Sequence, residues 1–322
     1  MRPSWREGRP GASRRAGSLR FVSVVRLALW SVEEGKGVTK TTAGVRPLEK
    51  GIRTDFREEM DYASYLGLDQ VLSAQHPVSE PEHHDELLFI IQHQTTELWL
   101  KLVLHELSAA RAYLDADDLL RALKALARVK HIQRTITEQW SVLATLTPSE
   151  YAEFRGVLGS SSGFQSYQYR AVEFILGNKN ERMLPVFRGN PEAYDLLDGL
   201  LHEPTVYDAF LRLLARRGYA VPGEILERDV TEAWVERPDL IPVLTGIYQD
   251  PASAWDIYEA CEDLVDLEDA FQFWRFRHLR TVRRTIGFKT GTGGSSGVDF
   301  LRRALDLTFF PELISVRTEV GA

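Results

Sequence analysis

Beyond residue 60, apolar residues recur at steps of three and four along most of the chain. Alternating apolar and polar runs that would pair into sheets are hard to find. Ser79, Glu80, Pro81 and Glu82 read as a capping box and predict a helix start at 79–82. No Gly or Pro interrupts His83 to Leu114. Apolar rows at Leu87, Ile91, Leu98 and Leu102 and at Leu88, Trp99 and Val103 cover more than one stripe, which predicts a central helix packed on several sides. A second helix is expected from Asp118 to Leu146. Thr147 to Glu150 forms another capping box, with Pro148 at the first helical position, and opens a helix that should stop at Gly159. Another should run from Phe164 to Leu176, ended by Gly177. Frequent prolines break residues 178 to 250 into short helices and loops. Asp250 and Pro251 then open a stretch free of Gly and Pro up to Gly287, long enough to reach about 54 Å if continuous. A mobile run from Gly291 to Gly297 and a last helix over Val298 to Leu307 follow.

Composition and charge alter this picture mainly at the N-terminus. The 322 residues are 44% apolar and 26% charged, ordinary globular usage. Residues 1–50 carry a net charge of +7 and residues 51–322 a net charge of −14. This predicts a basic, unstructured extension over 1–50 and a single all-α helical-bundle domain over 51–322. The acidic body argues against a broad nucleic-acid face, and no run is long and apolar enough to span a membrane. A single cysteine, Cys261, precludes an intrachain disulfide or a cysteine-ligated cluster and fits a reducing, cytoplasmic setting.

Two histidines lie within apolar helical rows, His93 one turn after Phe89 and His278 in the row Leu264, Leu267, Phe271, Trp274, His278, Val282. A neutral imidazole there could ligate iron in a bundle interior, or could simply be a hydrogen-bonded core group. Arg275, Arg277, Arg280, Arg283 and Arg284 around His278 could meet anionic groups or form a solvated basic face. Tyr151 and Arg155 lie one turn apart, a hydroxyl and a guanidinium fork suited to a carboxylate, although many such pairs are plain surface groups. The run His83, His84, Asp85, Glu86 is a poor metal set, because adjacent helical positions diverge by about 100°. The glycine run fails both phosphate-binding fingerprints. It reads as a linker or as a loop able to close over a ligand.

The segment His83-His84-Asp85-Glu86-Leu87-Leu88-Phe89-Ile90-Ile91-Gln92-His93-Gln94, followed by Glu97-Leu98-Trp99, closely resembles the bacterial tryptophan 2,3-dioxygenases. So do Gln139 to Leu143, Ser161 to Ser166, Trp274 to His278 and Gly291 to Gly297, in order from about Gly51 to the C-terminus. The resemblance implies an all-helical, cytoplasmic homotetramer holding one b-type haem per subunit, ferrous when active. It would insert O2 across the indole C2–C3 bond of L-tryptophan to give N-formyl-L-kynurenine, the first step of degradation by the kynurenine route. It further implies His278 as the axial haem ligand and His93 as the catalytic distal histidine on the indole N–H. Phe89 would pack on the indole, Tyr151 and Arg155 would hold the carboxylate, and Thr292 would bind the ammonium and carboxylate. Tyr62 and Tyr65 would reach a neighbouring subunit's site. A related haem dioxygenase for other indoles, a haem-based gas sensor and a helical scaffold are the alternatives.

Overall fold

The computed structural model describes residues 44, 46, 48–56 and 59–321. Nearly all of the extension expected over 1–50 lies outside the described residues. Two units divide between Asp61 and Tyr62, beyond the domain boundary expected at residue 50. In the first unit the described residues form no helix, and Arg53 pairs with the Glu59 carboxylate through both terminal guanidinium nitrogens.

The second unit is helical, with no strand among the described residues. Its helices are α1 (Tyr62–Leu66), α2 (Leu68–Leu72), α3 (His84–Asp115), α4 (Leu119–Glu138), α5 (Trp140–Leu143), α6 (Pro148–Phe154) and α7 (Tyr167–Leu176). Then come α8 (Pro191–His202), α9 (Val206–Arg216), α10 (Gly223–Leu226), α11 (Ile241–Gln249), α12 (Trp255–Ile286), α13 (Val298–Ala304) and α14 (Pro311–Glu319). None is long and apolar enough to cross a membrane. The last, α14, went unpredicted.

The two 32-residue helices α3 and α12 are each about 48 Å long and flank α4. The short Ala116–Asp118 turn returns α4 antiparallel to α3, and Glu106 of α3 takes the Arg128 guanidinium of α4 at 2.5 Å. Against α4, α12 runs parallel. Lys130, past the middle of α4, meets Asp263 in the first third of α12, and Trp140, just beyond α4, meets Trp274 and His278 further on. Apolar side chains dominate the core of the three: Val103, Leu107 and Ala110 of α3, Ala122, Leu126 and Val129 of α4, and Leu264, Leu267 and Phe271 of α12. Helices α7 and α9 cover the other sides of α3, which is why its apolar residues were not confined to one stripe.

Three local expectations are corrected. The helix expected from Ser79 starts at His84. The Ser79 hydroxyl accepts from the His83 N–H at 3.0 Å but donates to Glu86, so it ties a preceding segment to the first turn of α3 instead of capping a turn of its own. The helix expected from Asp118 to Leu146 divides at Gln139. Thr135 and Thr137, just before the break, return their hydroxyls to the carbonyls four residues back, a habit that bends helices. The stretch from Pro251 begins as a 3-10 turn, Pro251–Ala254, with α12 starting at Trp255. The Thr147 capping box forms as read: Glu150 N–H donates to the Thr147 hydroxyl, and the Thr147 N–H donates to Glu150 at 2.7 Å.

Candidate active site

A cavity of about 490 Å³ opens between α3, α5, α6, α7, α12 and α13, and Phe89, His93, Tyr151, Arg155, His278 and Thr292 all line it. Residues far apart in sequence thus share one chamber of the size usual for small-molecule sites. Tyr62 and Tyr65 do not line it. They stand on α1 with three-quarters of their surface exposed.

His93 is held by its own helix. Its Nδ1 lies 2.7 Å from the Phe89 carbonyl, one turn back, and because a carbonyl only accepts, Nδ1 carries the proton. That leaves Nε2 as a bare acceptor. Burial pushes the His93 pKa down, partly offset by the Phe89 carbonyl and the nearby Glu97 carboxylate. The Phe89 ring packs on His93 at 4.2 Å between centroids and on Tyr151 at 5.7 Å.

His278 sits between two indoles. Trp140 stacks on it at 4.8 Å and 10° between planes, and Trp274 lies at 5.4 Å, so the imidazole plane is fixed by packing. Neither ring nitrogen has a hydrogen-bond partner among the described residues. Burial, with a smaller contribution from His93, lowers its pKa to about 4, so the ring is neutral at physiological pH. A neutral, oriented imidazole with a free ring nitrogen on a cavity wall can serve a haem iron as protein ligand, and the residues present fit that group.

Polar groups crowd another part of the chamber. Tyr151 is almost fully buried, and burial raises its phenol pKa, partly offset by Arg155 beside it. The Arg155 Nη2 donates to the Thr290 carbonyl at 2.6 Å, while its buried Nε lacks a partner. The Thr292 hydroxyl donates to the Ser161 carbonyl. The loop expected to be mobile is therefore tied to the α6 region at two points. It also turns tightly on itself: Gly297 has φ +61°, and a Cβ there would stand 2.6 Å from the Lys289 carbonyl oxygen.

The arginines around His278 divide. Arg275 is fully buried in an ion pair with Glu173 at 2.9 Å and also donates to the Leu307 carbonyl at 2.8 Å. Arg277, Arg280, Arg283 and Arg284 do not line the cavity; besides Arg155, its cationic residues are Arg170 and Arg303. Arg170, paired with the same Glu173 and with an orphaned buried Nε, was not singled out from sequence, nor was the role of Trp140 against His278. A signal for the first existed: α7 carries a buried Glu173 among apolar neighbours, a charge that needs a partner. Arg275→Ala should cost about 2 kcal/mol of stability, because it removes one of the two arginines that serve the buried Glu173 carboxylate, while Arg170 stays on that carboxylate and Gln272 on the Leu307 carbonyl. A denaturant midpoint unchanged from the parent would refute this structural role.

Comparison with known proteins points to one family. The family model for tryptophan 2,3-dioxygenase matches residues 48–199 and 241–320. The tryptophan 2,3-dioxygenase of Saccharopolyspora erythraea is 68% identical over 275 residues, covering 85% of this chain and 98% of that protein. That of Rhodococcus jostii is 68% identical over 279 residues, covering 87% and 98%. For Serratia proteamaculans the identity is 58% over 277 residues, with 86% and 99% covered. Near-complete coverage at such identity, together with the matched family model, settles the assignment: the chain belongs to the tryptophan 2,3-dioxygenase family.

Proposed function

We propose that this chain inserts both atoms of O2 across the indole C2–C3 bond of L-tryptophan, cleaving that bond to give N-formyl-L-kynurenine. The reaction needs no further oxidant, since substrate and O2 together contain every atom of the product. The observation that carries the reading is the chamber itself, in which an unpartnered imidazole, an acceptor imidazole and a carboxylate receiver meet. A family match that spans nearly the whole length of the relatives supports it.

His278 would hold one b-type haem per subunit, which would supply the activation of O2 that the indole alone lacks. The other residues bind and orient. His93 Nε2, left free by the Nδ1–H bond to Phe89, accepts from the indole N–H and fixes the ring, so His93 touches substrate while leaving the metal alone. Phe89 supplies an apolar face for the indole. The Arg155 fork and the Tyr151 hydroxyl take the carboxylate, and Thr292 takes the ammonium and carboxylate from the loop. The fully closed set includes Tyr62 and Tyr65 of a neighbouring subunit in a homotetramer. Their exposure on α1, outside their own chain's chamber, favours that placement. The compartment is the cytoplasm, where the lone Cys261, buried and with its thiol pKa pushed up by burial, stays inert.

The direct test is the absorption spectrum of the purified protein, followed by addition of L-tryptophan under air. A Soret band and accumulation of N-formyl-L-kynurenine are expected. A colourless protein would mean a scaffold, and a haem protein that binds gas without turnover would mean a sensor.

A further inference from the structure

The segment between α2 and α3 is stapled to α3 at two points, and those points bracket the site residues Phe89 and His93. At the first, the fully buried Glu86 carboxylate accepts from the Val78 N–H at 2.9 Å, the Ser79 N–H at 3.0 Å and the Ser79 hydroxyl. At the second, two turns along the helix, the Gln94 amide donates to the Ala74 carbonyl at 2.9 Å and accepts from Gln75 at 2.6 Å. Gln75 also donates to the Val71 carbonyl at the end of α2. The chain immediately before this stapled segment is the α1–α2 pair, which carries the exposed Tyr62 and Tyr65 and buries no residue of its own. Nothing in the apolar core holds those two short helices, so their direction depends on the staple.

We propose that Glu86 and Gln94 are positioning residues that aim the Tyr62–Leu72 arm from the same helix that carries Phe89 and His93. This rests on the reading that Tyr62 and Tyr65 complete a neighbouring subunit's site. The two staples lie on either side of the two site residues on one rigid helix, so each subunit's arm is registered to its own chamber. One assembly then closes every chamber in the same geometry. The donor–acceptor pattern explains why the first staple needs a carboxylate. Both Glu86 oxygens accept from backbone N–H groups, so an amide at this position, in either orientation, would point an NH2 at one of them.

The test compares Glu86→Gln with the double variant Gln75→Leu/Ser79→Ala, which weakens both staples from the arm side by removing the Gln75–Gln94 and Ser79 hydroxyl–Glu86 bonds and leaves every residue of α3 unchanged. Both should raise KM for L-tryptophan about tenfold, with kcat and the Soret band at parent values. Amide hydrogen exchange over residues 62–79 should accelerate, while that of α3 and α12 should not. Faster exchange with an unchanged KM would overturn the proposal, as would loss of haem or of kcat alongside KM, which marks a merely structural role. Tyr62→Ala/Tyr65→Ala separates the two levels. If that variant leaves KM unchanged, the shared-site reading fails and the proposal with it. If it raises KM and the staple variants do not, only the proposal fails.

Discussion

Replacing His278 with Ala yields a folded, helical protein that holds no haem. No other single substitution should remove activity so completely. Among the described residues of this chamber wall it is the one imidazole without a hydrogen-bond partner, and its plane is fixed between Trp140 and Trp274. Its loss does not threaten α12, because Leu264, Leu267 and Phe271 on the same helix are buried and make no use of His278. The expected result is loss of the Soret band with unchanged far-ultraviolet circular dichroism. His93→Ala should do the reverse, keeping the Soret band while turnover falls, since that ring is tied to Phe89 and, in the proposed role, orients substrate. A normal Soret band in the His278 variant, or a colourless His93 variant, would reverse the two roles and overturn the site.

Arg155→Ala should lower kcat/KM for L-tryptophan by about 2 kcal/mol, roughly 30-fold, carried mainly by KM. Truncating one side of a buried charge pair costs about 2–5 kcal/mol in general. The low end applies here, because Arg155 is only half-buried and already donates to the Thr290 carbonyl in the free chain. Indole analogues without a carboxylate should lose far less between parent and variant, which makes the ratio of the two effects the decisive quantity. Equal losses for both substrates would remove Arg155 from carboxylate recognition.

Much of the bundle was legible because helix signals are local. The Thr147 capping box, the uninterrupted stretches of α3 and α12 and the apolar row through His278 each depend on residues a few positions apart. What escaped depended on distant partners. Ser79 looked like a cap because Glu82 follows it three residues later, yet its stronger acceptor is Glu86, brought within reach only when the segment folds back on α3. Arg275 looked available to an anion, but Glu173 of α7 takes it, a pairing set 102 positions away in sequence. The roles of His93 and His278 could not be separated by spacing, since both sit in apolar rows. The difference lies in which ring nitrogen the fold engages: His93 has the Phe89 carbonyl and His278 has nothing. Trp140 was visible as a core position, but its stacking on His278 needs the parallel alignment of α4 and α12.

Under the carboxylate role proposed for Arg155, its tie to the Thr290 carbonyl gives the resting chain a tethered rival for that guanidinium. Because that rival is covalently attached, its effective concentration does not fall on dilution. Capture of the amino acid is then an exchange, gated by how often residues 287–297 let go, and association should level off at high substrate concentration instead of rising without limit. Stiffening that hinge would slow entry while leaving the haem pocket untouched.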